Sequence, residues 1–577
     1  MSQKKQGNND KMQQDQQDQQ NQQNQQNQQN QQNQQNQQVQ QTHQVQQLKS
    51  TNNLLVLYQT PKNDADNIMD YDVDPSFSQF PNMPLFKYGF YHYIHQTKNK
   101  MEMFEKPEFK TKDLQKIINA FEDTIPQEDY IRQFKNDKVK PTDDINSFSI
   151  KYFNSDRIIS RAFYKLWELM MMFPLIKDNS KNITTLHIAE APGSFVQSAI
   201  YYRHKFFGKE HISGDTYIAT SIEPQIKKTG EYVPIFNSDL NNYKQFRQWS
   251  YKNSDLTKTD IIKKFVSDNS GANADFITAD GGFNWKDENY QEQEAYVLLL
   301  SEIYCALKTQ AKGGSFVIKF FETFTELTVK MIEILKRFYE NVIITKPLLS
   351  RPSNSERYIV CLNFTGNKNL AEQTEKIFEI IKMANEQPNK YLVDIFPEYQ
   401  IEPQLDLIIK LSATEMSNEQ HKQINEMISY INEGNYFGDA YRQYLINRRE
   451  ANDFWISIFY PTSIKDMAEA RKVINNVITN ILNNMKKTLD ELTSKLQIIK
   501  FKYENTGTKL NKSNKSSSKK LIVSETETES TNSTESAESV ESVESVESAD
   551  SDSEEIARKS KSTKSTKSTK STKSTKK

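Results

Sequence analysis

Cysteine and glycine are scarce in this chain, which holds two of the first and 15 of the second in 577 residues. Two cysteines, Cys305 and Cys361, cannot build a disulfide framework, which fits a reducing compartment. Neither has a partner spacing that suggests zinc, and both sit in apolar stretches where core packing is expected rather than nucleophilic chemistry. The seven histidines are scattered. His92 and His95 are close, but two imidazoles without further ligands make no metal site, and no metal is expected. Long apolar runs are missing as well. No stretch of about 20 apolar residues exists to cross a bilayer. The N-terminus, MSQKKQGNND, lacks the apolar segment of a signal peptide. A large charge of one sign is also missing: the formal net charge is -1. Any nucleic-acid surface must therefore be a local patch. A soluble, intracellular chain of cytoplasm or nucleus is expected.

Low-complexity sequence occupies both ends. Residues 11–48 are almost all Gln and Asn, within a first segment, 1–50, that has no apolar face to bury and should be disordered. Residues 506–577 pass from NKSNKSSSKK through the acidic ESAESVESVESVESADSDSEE to KSTKSTKSTKSTKK, a solvated tail with candidate phosphorylation sites. Three sections lie between. Residues 51–145 are aromatic and irregular and suit an extension packed on the body. Residues 146–365 alternate helical and strand-like patterns, the mark of a mostly parallel α/β sheet. Residues 366–505 read as helices. The last of these places Ile478, Leu482, Met485, Leu489, Leu492, Leu496 and Ile499 at four-three spacing. It suits either a helix docked on the body or a short self-associating coil.

The central section resolves into elements. SDRIISRAFYKLWELMMMF reads as an amphipathic helix with Ile159, Ala162, Phe163, Leu166 and Met170 on one face and Arg161, Lys165 and Glu168 off it. TTLHIA is a buried strand, followed by a Pro-Gly turn and a helix. TYIATSIE is a second strand ending at Glu223. VPIFNSDL is a third, ending near Asp239. ADFITADGG is a fourth, ending at Asp280. GGSFVIKFF is a fifth, entered through Gly313-Gly314 and carrying Lys319 at its far end. NVIITKP and SERYIVCLNF finish the sheet, with Glu356 just before the last strand. Glu190, Glu223, Asp239, Asp280 and Lys319 thus fall at the carboxyl ends of strands, where open α/β sheets bind ligands.

The turn between the first strand and its helix, Glu190-Ala191-Pro192-Gly193-Ser194, presents free backbone N–H groups. The chain lacks the G-x-G-x-x-G of dinucleotide sites and the G-x-x-x-x-G-K-S/T of a P-loop. A small nucleoside ligand without pyrophosphate fits better. It needs one glycine turn and an acid after the second strand for its ribose hydroxyls. S-adenosylmethionine has that shape, and Glu223 stands where the acid belongs.

The fragments SRAFYKL, EAPGSF, ADGG, GGSFVIKFF and SRPSNSERYIVC, in this order, resemble the FtsJ-like (RrmJ-type) RNA 2′-O-methyltransferases over about residues 150–365. The similarity is greatest to the Adrift-type, cap-specific branch found in eukaryotes and large DNA viruses. The Asn- and Lys-heavy composition also suits a giant-virus protein, whose place would be a virus factory or virion. The resemblance implies a Rossmann-like fold with a seven-stranded sheet, S-adenosylmethionine as cofactor, and RNA, in that branch capped mRNA, as substrate. It implies that the family's catalytic Lys-Asp-Lys-Glu set falls on Lys165, Asp280, Lys319 and Glu356. Its cofactor turn falls on Glu190, Pro192, Gly193, Ser194 and Phe195, with Glu223 and Asp239 as further acids on the cofactor side. Two places depart from the family. His187 stands where an Asp often opens the turn, with Glu190 as a substitute charge, and Ser194 stands where a second Gly often follows Pro-Gly.

The chemistry asks for a ribose hydroxyl held in line with a methyl carbon, a base for its proton, and exclusion of water. Positioning alone contributes up to roughly 7–11 kcal/mol, and a base about 100- to 10,000-fold. Lys319 is assigned as the base, oriented by Asp280, with Lys165 and Glu356 completing the frame. A lysine base works best if neighbouring positive charge pulls its pKa toward neutrality. Lys346, Arg351 and Arg357 near Glu356, and Phe283 and Trp285 after Asp280, suit either RNA contact or simple cover of the sheet end. Three functions remain open: cap-proximal 2′-O-methylation of mRNA, the same chemistry on ribosomal or other structured RNA, and a noncatalytic RNA-binding subunit.

Overall fold

In a computed structural model of the protein, the apolar runs between residues 184 and 364 form one mixed sheet. The structure describes residues 55–62, 67–81, 89–101, 118–122, 158–177, 180–223, 235–282, 285–366, 369–433, 438–459, 471–472, 474–495 and 497. The Gln/Asn tract and the acidic and Lys/Ser/Thr-rich tail lie outside these residues. Among the described residues the strands, in chain order, are β1 (Val56–Gln59), β2 (Ser76–Ser78), β3 (Thr184–Ile188), β4 (Thr216–Ala219), β5 (Phe246–Gln248), β6 (Ala274–Ala279), β7 (Gln310–Phe320), β8 (Tyr339–Lys346), β9 (Arg357–Phe364) and β10 (Tyr391–Asp394).

The large sheet has the order β1-β8-β9-β7-β6-β3-β4-β5. Strands β3 to β7 pair in parallel, and β9 runs antiparallel between β7 and β8. The sheet has eight strands rather than seven, because β1 pairs antiparallel with β8 and covers an edge that would otherwise be open. A separate pair joins β2 to β10. The α/β class read from the sequence therefore holds, with one strand added from the N-terminal extension.

Alternation along the strands builds two apolar layers. Leu186, Ile188, Ile277, Phe316, Ile318 and Ile359 face one core with the helices Thr259–Asn269, Tyr296–Thr309 and Glu326–Phe338. Phe276, Val317, Tyr358 and Val360 face the other, with Ala162–Met172 and Ser194–Phe206. A period of two on strands buried on both faces explains why these runs are continuously apolar. Both cysteines are buried, as their apolar settings suggested. His95 is also buried, its ring edge-on to Tyr290.

Three elements here depart from the sequence reading. The end of VPIFNSDL enters a helical turn, Ser238–Asn241, begun where the Asn237 side chain accepts the Asp239 N–H at 2.8 Å, and the third strand of the parallel run is Phe246–Gln248. The helix bearing Lys165 starts at Ala162, so Ile159 precedes it; the Ile159 N–H donates to Gln197 Oε1 instead. Glu168, assigned to the polar face, is fully buried. Strand β7 starts at Gln310, so Gly313 and Gly314 lie inside it; Gly313, at φ +76°, sits where the register with β6 shifts.

The C-terminal helices pack on the same body. Leu405, Ile408 and Ile409 of Pro403–Glu433 join the first core. Trp455, Ile458 and Phe459 of Asp439–Phe459 join the second. Residues 474–495 are helical, and Ile474, Val477 and Ile478 are buried in that second core, which favours the docked reading of this helix. Residues 366–505 also contain β10, which the all-helix reading missed. Among the described residues no helix is long and apolar enough to cross a membrane, and no cluster of His, Cys, Asp and Glu is arranged to hold a metal.

Candidate active site

Strand β3 ends in the Pro-Gly turn. The Glu190 N–H donates to the Thr220 carbonyl at 3.0 Å, and the Gly193 N–H donates back to the Glu190 carbonyl at 2.8 Å. Gly193 has φ +104°, and a Cβ there would lie 2.1 Å from Leu240 Cδ1. Only glycine meets both conditions. The helix that follows starts at Ser194. Glu190 Oε1 accepts the N–H groups of Phe195 (2.6 Å) and Val196 (3.4 Å), so its buried carboxylate caps this helix. Burial pushes that carboxyl well above the usual range, and the Asp280 charge adds to the effect. Glu190 was assigned the charge that the family's Asp would supply. Its side chain turns inward instead, and the backbone of the turn is what it shapes.

The other turn residues are also built in. The Pro192 carbonyl accepts the Asn237 N–H at 3.0 Å. Ser194 Oγ is 2.7 Å from Ser160 Oγ. The Phe195 ring is in the core, 6.2 Å from the Tyr358 ring. His187 is fully buried between two hydroxyls, with Nδ1 2.8 Å from Thr278 Oγ1 and Nε2 2.9 Å from Thr185 Oγ1. Burial pushes its pKa down to about 3, so it is a neutral core residue and no charged substitute for Asp.

Beyond β4, Glu223 accepts Gln248 Nε2 at 2.8 Å, and its N–H donates to the Asn253 carbonyl at 2.7 Å. Asp239 is half-buried on the helical turn, not at a strand end. Thr220 Oγ1 is buried with no hydrogen-bond partner among the described residues, although the Thr220 backbone touches the Glu190 turn. An unpaired buried hydroxyl beside a glycine turn, with carboxylates on the neighbouring loops, fits a small polar ligand bearing positive charge.

The second group of residues meets at the same edge. Lys319, near the end of β7, places Nζ 3.0 Å from Asp280 Oδ1 and 2.9 Å from the Asp280 carbonyl. The register Lys319↔Tyr358 puts Tyr358 beside them, and its hydroxyl donates to Asp280 Oδ1 at 3.2 Å. Lys165 Nζ lies 2.7 Å from Glu356 Oε1 and 2.9 Å from Oε2. All four side chains are mostly covered, between 13% and 19% exposed. The four residues named from the sequence therefore form two ion pairs, and Tyr358 is a member the sequence reading missed.

Their charges interact. Burial acts to raise the Glu356 carboxyl, but Lys165, Lys319 and Lys346 outweigh it and hold the group at about 2. Burial acts to lower Lys319, yet Asp280, Glu356 and Glu302 hold it above the usual lysine value. The expected downward pull from Lys165 is absent because Glu356 is paired with Lys165 and faces both lysines. Lys346 is the reverse case: burial pulls it down to about 7 although Glu356 opposes.

The loop from 347 to 356, between β8 and β9, carries Glu356 and is fastened from many sides. Lys346 Nζ donates to the Asn354 carbonyl (3.1 Å), Asn354 Oδ1 (2.7 Å) and the Glu356 carbonyl (2.5 Å). Glu168 accepts the N–H groups of Leu348 (2.7 Å) and Leu349 (3.0 Å) and Trp455 Nε1 (2.9 Å). Arg351 makes a two-point contact with Glu122 at 2.8 and 2.6 Å, and Arg161 reaches the same carboxylate at 2.9 Å. Arg357 is fully buried and donates to Thr323 Oγ1 at 2.8 Å, so it covers the sheet end and does not face solvent. Trp285 stacks edge-on against Phe321 at 4.6 Å. Phe283 lies outside the described residues.

Residues 158–364 match the model of the FtsJ-like methyltransferase family. Among curated proteins, the chain is 28% identical over 264 residues to cap-specific mRNA (nucleoside-2′-O-)-methyltransferase 2 of Drosophila melanogaster, covering 44% of this chain and 37% of that one. It is 30% identical over 221 residues to a protein of Acanthamoeba polyphaga mimivirus, covering 37% and 27%. It is 42% identical over 112 residues to cap-specific mRNA (nucleoside-2′-O-)-methyltransferase 1 of Mus musculus, covering 18% and 13%. The matched region spans well under half the length of these relatives. Among solved structures, a ribosomal RNA methyltransferase from Plasmodium falciparum is 24% identical, covering 36% of this chain and 99% of that one, with a TM-score of 0.24. The family match covers the Gly193 turn and both ion pairs, so residues 158–364 resemble an FtsJ-like methyltransferase domain.

Proposed function

We propose that the chain transfers a methyl group from S-adenosylmethionine to the 2′-hydroxyl of a cap-proximal ribose of mRNA. The observation that carries this reading is the pair of ion pairs, Lys319–Asp280 and Lys165–Glu356, at the carboxyl edge of the sheet in an FtsJ-like domain. The printed names of the Drosophila and mouse relatives support capped mRNA as the substrate class. Such a substrate supports a site of action inside the cell.

The backbone of the Glu190–Ser194 turn, the Thr220 hydroxyl, Glu223 and Asp239 would hold the cofactor. When bound, S-adenosylmethionine supplies an electrophilic methyl carbon on a positively charged sulfur. Lys319 takes the hydroxyl proton at Nζ. Asp280 orients that nitrogen through its side-chain and backbone oxygens, while Tyr358 fixes the carboxylate. Glu356 and Lys165 complete the frame and help to exclude water. Asp280 and Glu356 keep Lys319 charged at neutral pH, so the base is its small neutral fraction and the rate rises with pH.

Transfer of labelled methyl to matched capped and uncapped transcripts tests the reading. Faster labelling of the capped transcript is expected. Equal labelling of both would favour structured RNA as the substrate, and none would favour a binding subunit.

A further inference from the structure

Glu302 sits in the middle of the apolar helix Tyr296–Thr309. Its side chain is fully buried, and neither carboxylate oxygen has a hydrogen-bond partner of ordinary geometry among the described residues. A buried acid with no ordinary hydrogen bond in a helix of Leu, Ile and Tyr asks for a reason. Its position supplies one. A Cβ on Gly281 would lie 2.3 Å from Glu302 Oε1, so the carboxyl packs directly against the turn that carries Asp280. A Cβ on the next residue, Gly282, would lie 3.7 Å from Lys319 Nζ. The two glycines therefore bring the Glu302 carboxyl and the Lys319 ammonium close to one turn.

The groups that act on Glu302 come from three elements. Burial is the largest influence and pushes its pKa up to about 8. Lys319 on β7 opposes this, Asp280 after β6 adds to it, and the Gly281 amide opposes it. On its own helix stands the Cys305 thiol, itself pushed up by burial.

We propose that Glu302 is a positioning residue for Lys319: its carboxyl, packed under the Asp280–Gly281 turn, sets how many carboxylate charges the lysine faces. This rests on Lys319 being the base of the reaction proposed above. The active form then has a neutral lysine and a neutral Glu302. Below about pH 8 the rate climbs with pH, because the lysine must lose a proton. Above it, Glu302 ionises first. The form with a charged lysine and ionised Glu302 holds the same number of protons as the active form, so the rate stops climbing.

The test compares the full-length wild type with Glu302→Gln, which mimics the neutral acid, on methyl-transfer rates between pH 6.5 and 9.5. The wild type is expected to level off near pH 8 while the variant keeps climbing. The ratio of rates at pH 9 and pH 7 then becomes about tenfold larger in the variant. Parallel profiles would overturn the proposal. Melting temperature from pH 4.5 to 9 gives a readout independent of activity. A folded-state pKa raised from 4.5 to about 8 makes the wild type lose stability relative to the variant as pH rises through that window, and not above it. A melting difference that does not vary with pH would also overturn it. If the Gln amide disturbs packing, Glu302→Met serves the same comparison. Absence of transfer by the wild type would overturn the functional reading and with it the link to Lys319, while the melting comparison separately reports the neutral acid.

Discussion

Glu356 holds Lys165 with both carboxylate oxygens, at 2.7 and 2.9 Å, across 191 positions of sequence. The contact joins the helix Ala162–Met172 to the start of β9, two elements that share no backbone hydrogen bonding. The contact thus fastens the helix to the loop that precedes the last strand of the domain.

Glu356→Gln should leave Lys165 without its buried counter-charge and lower methyl transfer by about 100-fold or more. It should also change the acid stability profile. The Glu356 pKa is held at about 2 against an ordinary 4.5, so its contribution is full above pH 4.5 and lost as pH falls through about 2. The contribution is of the order of 3 kcal/mol. Melting curves from pH 2 to 6 should show wild type and variant converging at the acid end. A constant gap between them would exclude the ion pair as the cause.

Lys319→Ala should abolish methyl transfer while cofactor affinity, measured by calorimetry, stays within a few-fold. Asp280 would keep its Tyr358 hydrogen bond, so the site should not collapse. The wild-type rate should rise from pH 6 to about 8, because carboxylates hold Lys319 above the usual lysine value and only its neutral form accepts a proton. A rate that falls over that range would rule out Lys319 as the base.

Gly193→Ala meets two obstacles, the positive φ and Leu240 Cδ1 at 2.1 Å. A loss of about 1–3 kcal/mol in stability is expected from backbone strain. Cofactor affinity should fall with it, since the same turn is the proposed cradle. Unchanged calorimetric binding by a folded variant would move the cofactor elsewhere.

Glu168→Ala would remove the acceptor shared by the Leu348 and Leu349 amides and Trp455 Nε1. Each orphaned buried donor costs about 1–3 kcal/mol. The variant should melt several degrees lower, and the 347–356 loop should exchange amide protons faster. A melting temperature equal to the wild type would show that this carboxylate is dispensable.

What the sequence made legible followed from local pattern. The period-two runs TTLHI, ADFITA and RYIVCLNF are strands because both faces are buried, and the edge they share brought Asp280, Lys319 and Glu356 together. VPIFNSDL misled because its apolar half is followed by Asn237, whose side chain starts a helical turn, an outcome that Asn-Ser-Asp signals. Glu168 and Glu302 were illegible as buried acids, since nothing local shows that Trp455 or Gly281 will cover them. Gly281 was a usable signal in hindsight: it followed Asp280 because Glu302 and Leu298 fill the space of a side chain. Glu122 could not be paired with Arg351 from spacing, because 229 positions separate them.

The most direct measurement is to incubate the full chain with labelled S-adenosylmethionine and capped transcript, digest the RNA, and locate the label. The methyl is expected on the 2′-oxygen of a cap-proximal ribose, and none with Lys319→Ala. Label on a base, or equal labelling by that variant, would contradict it.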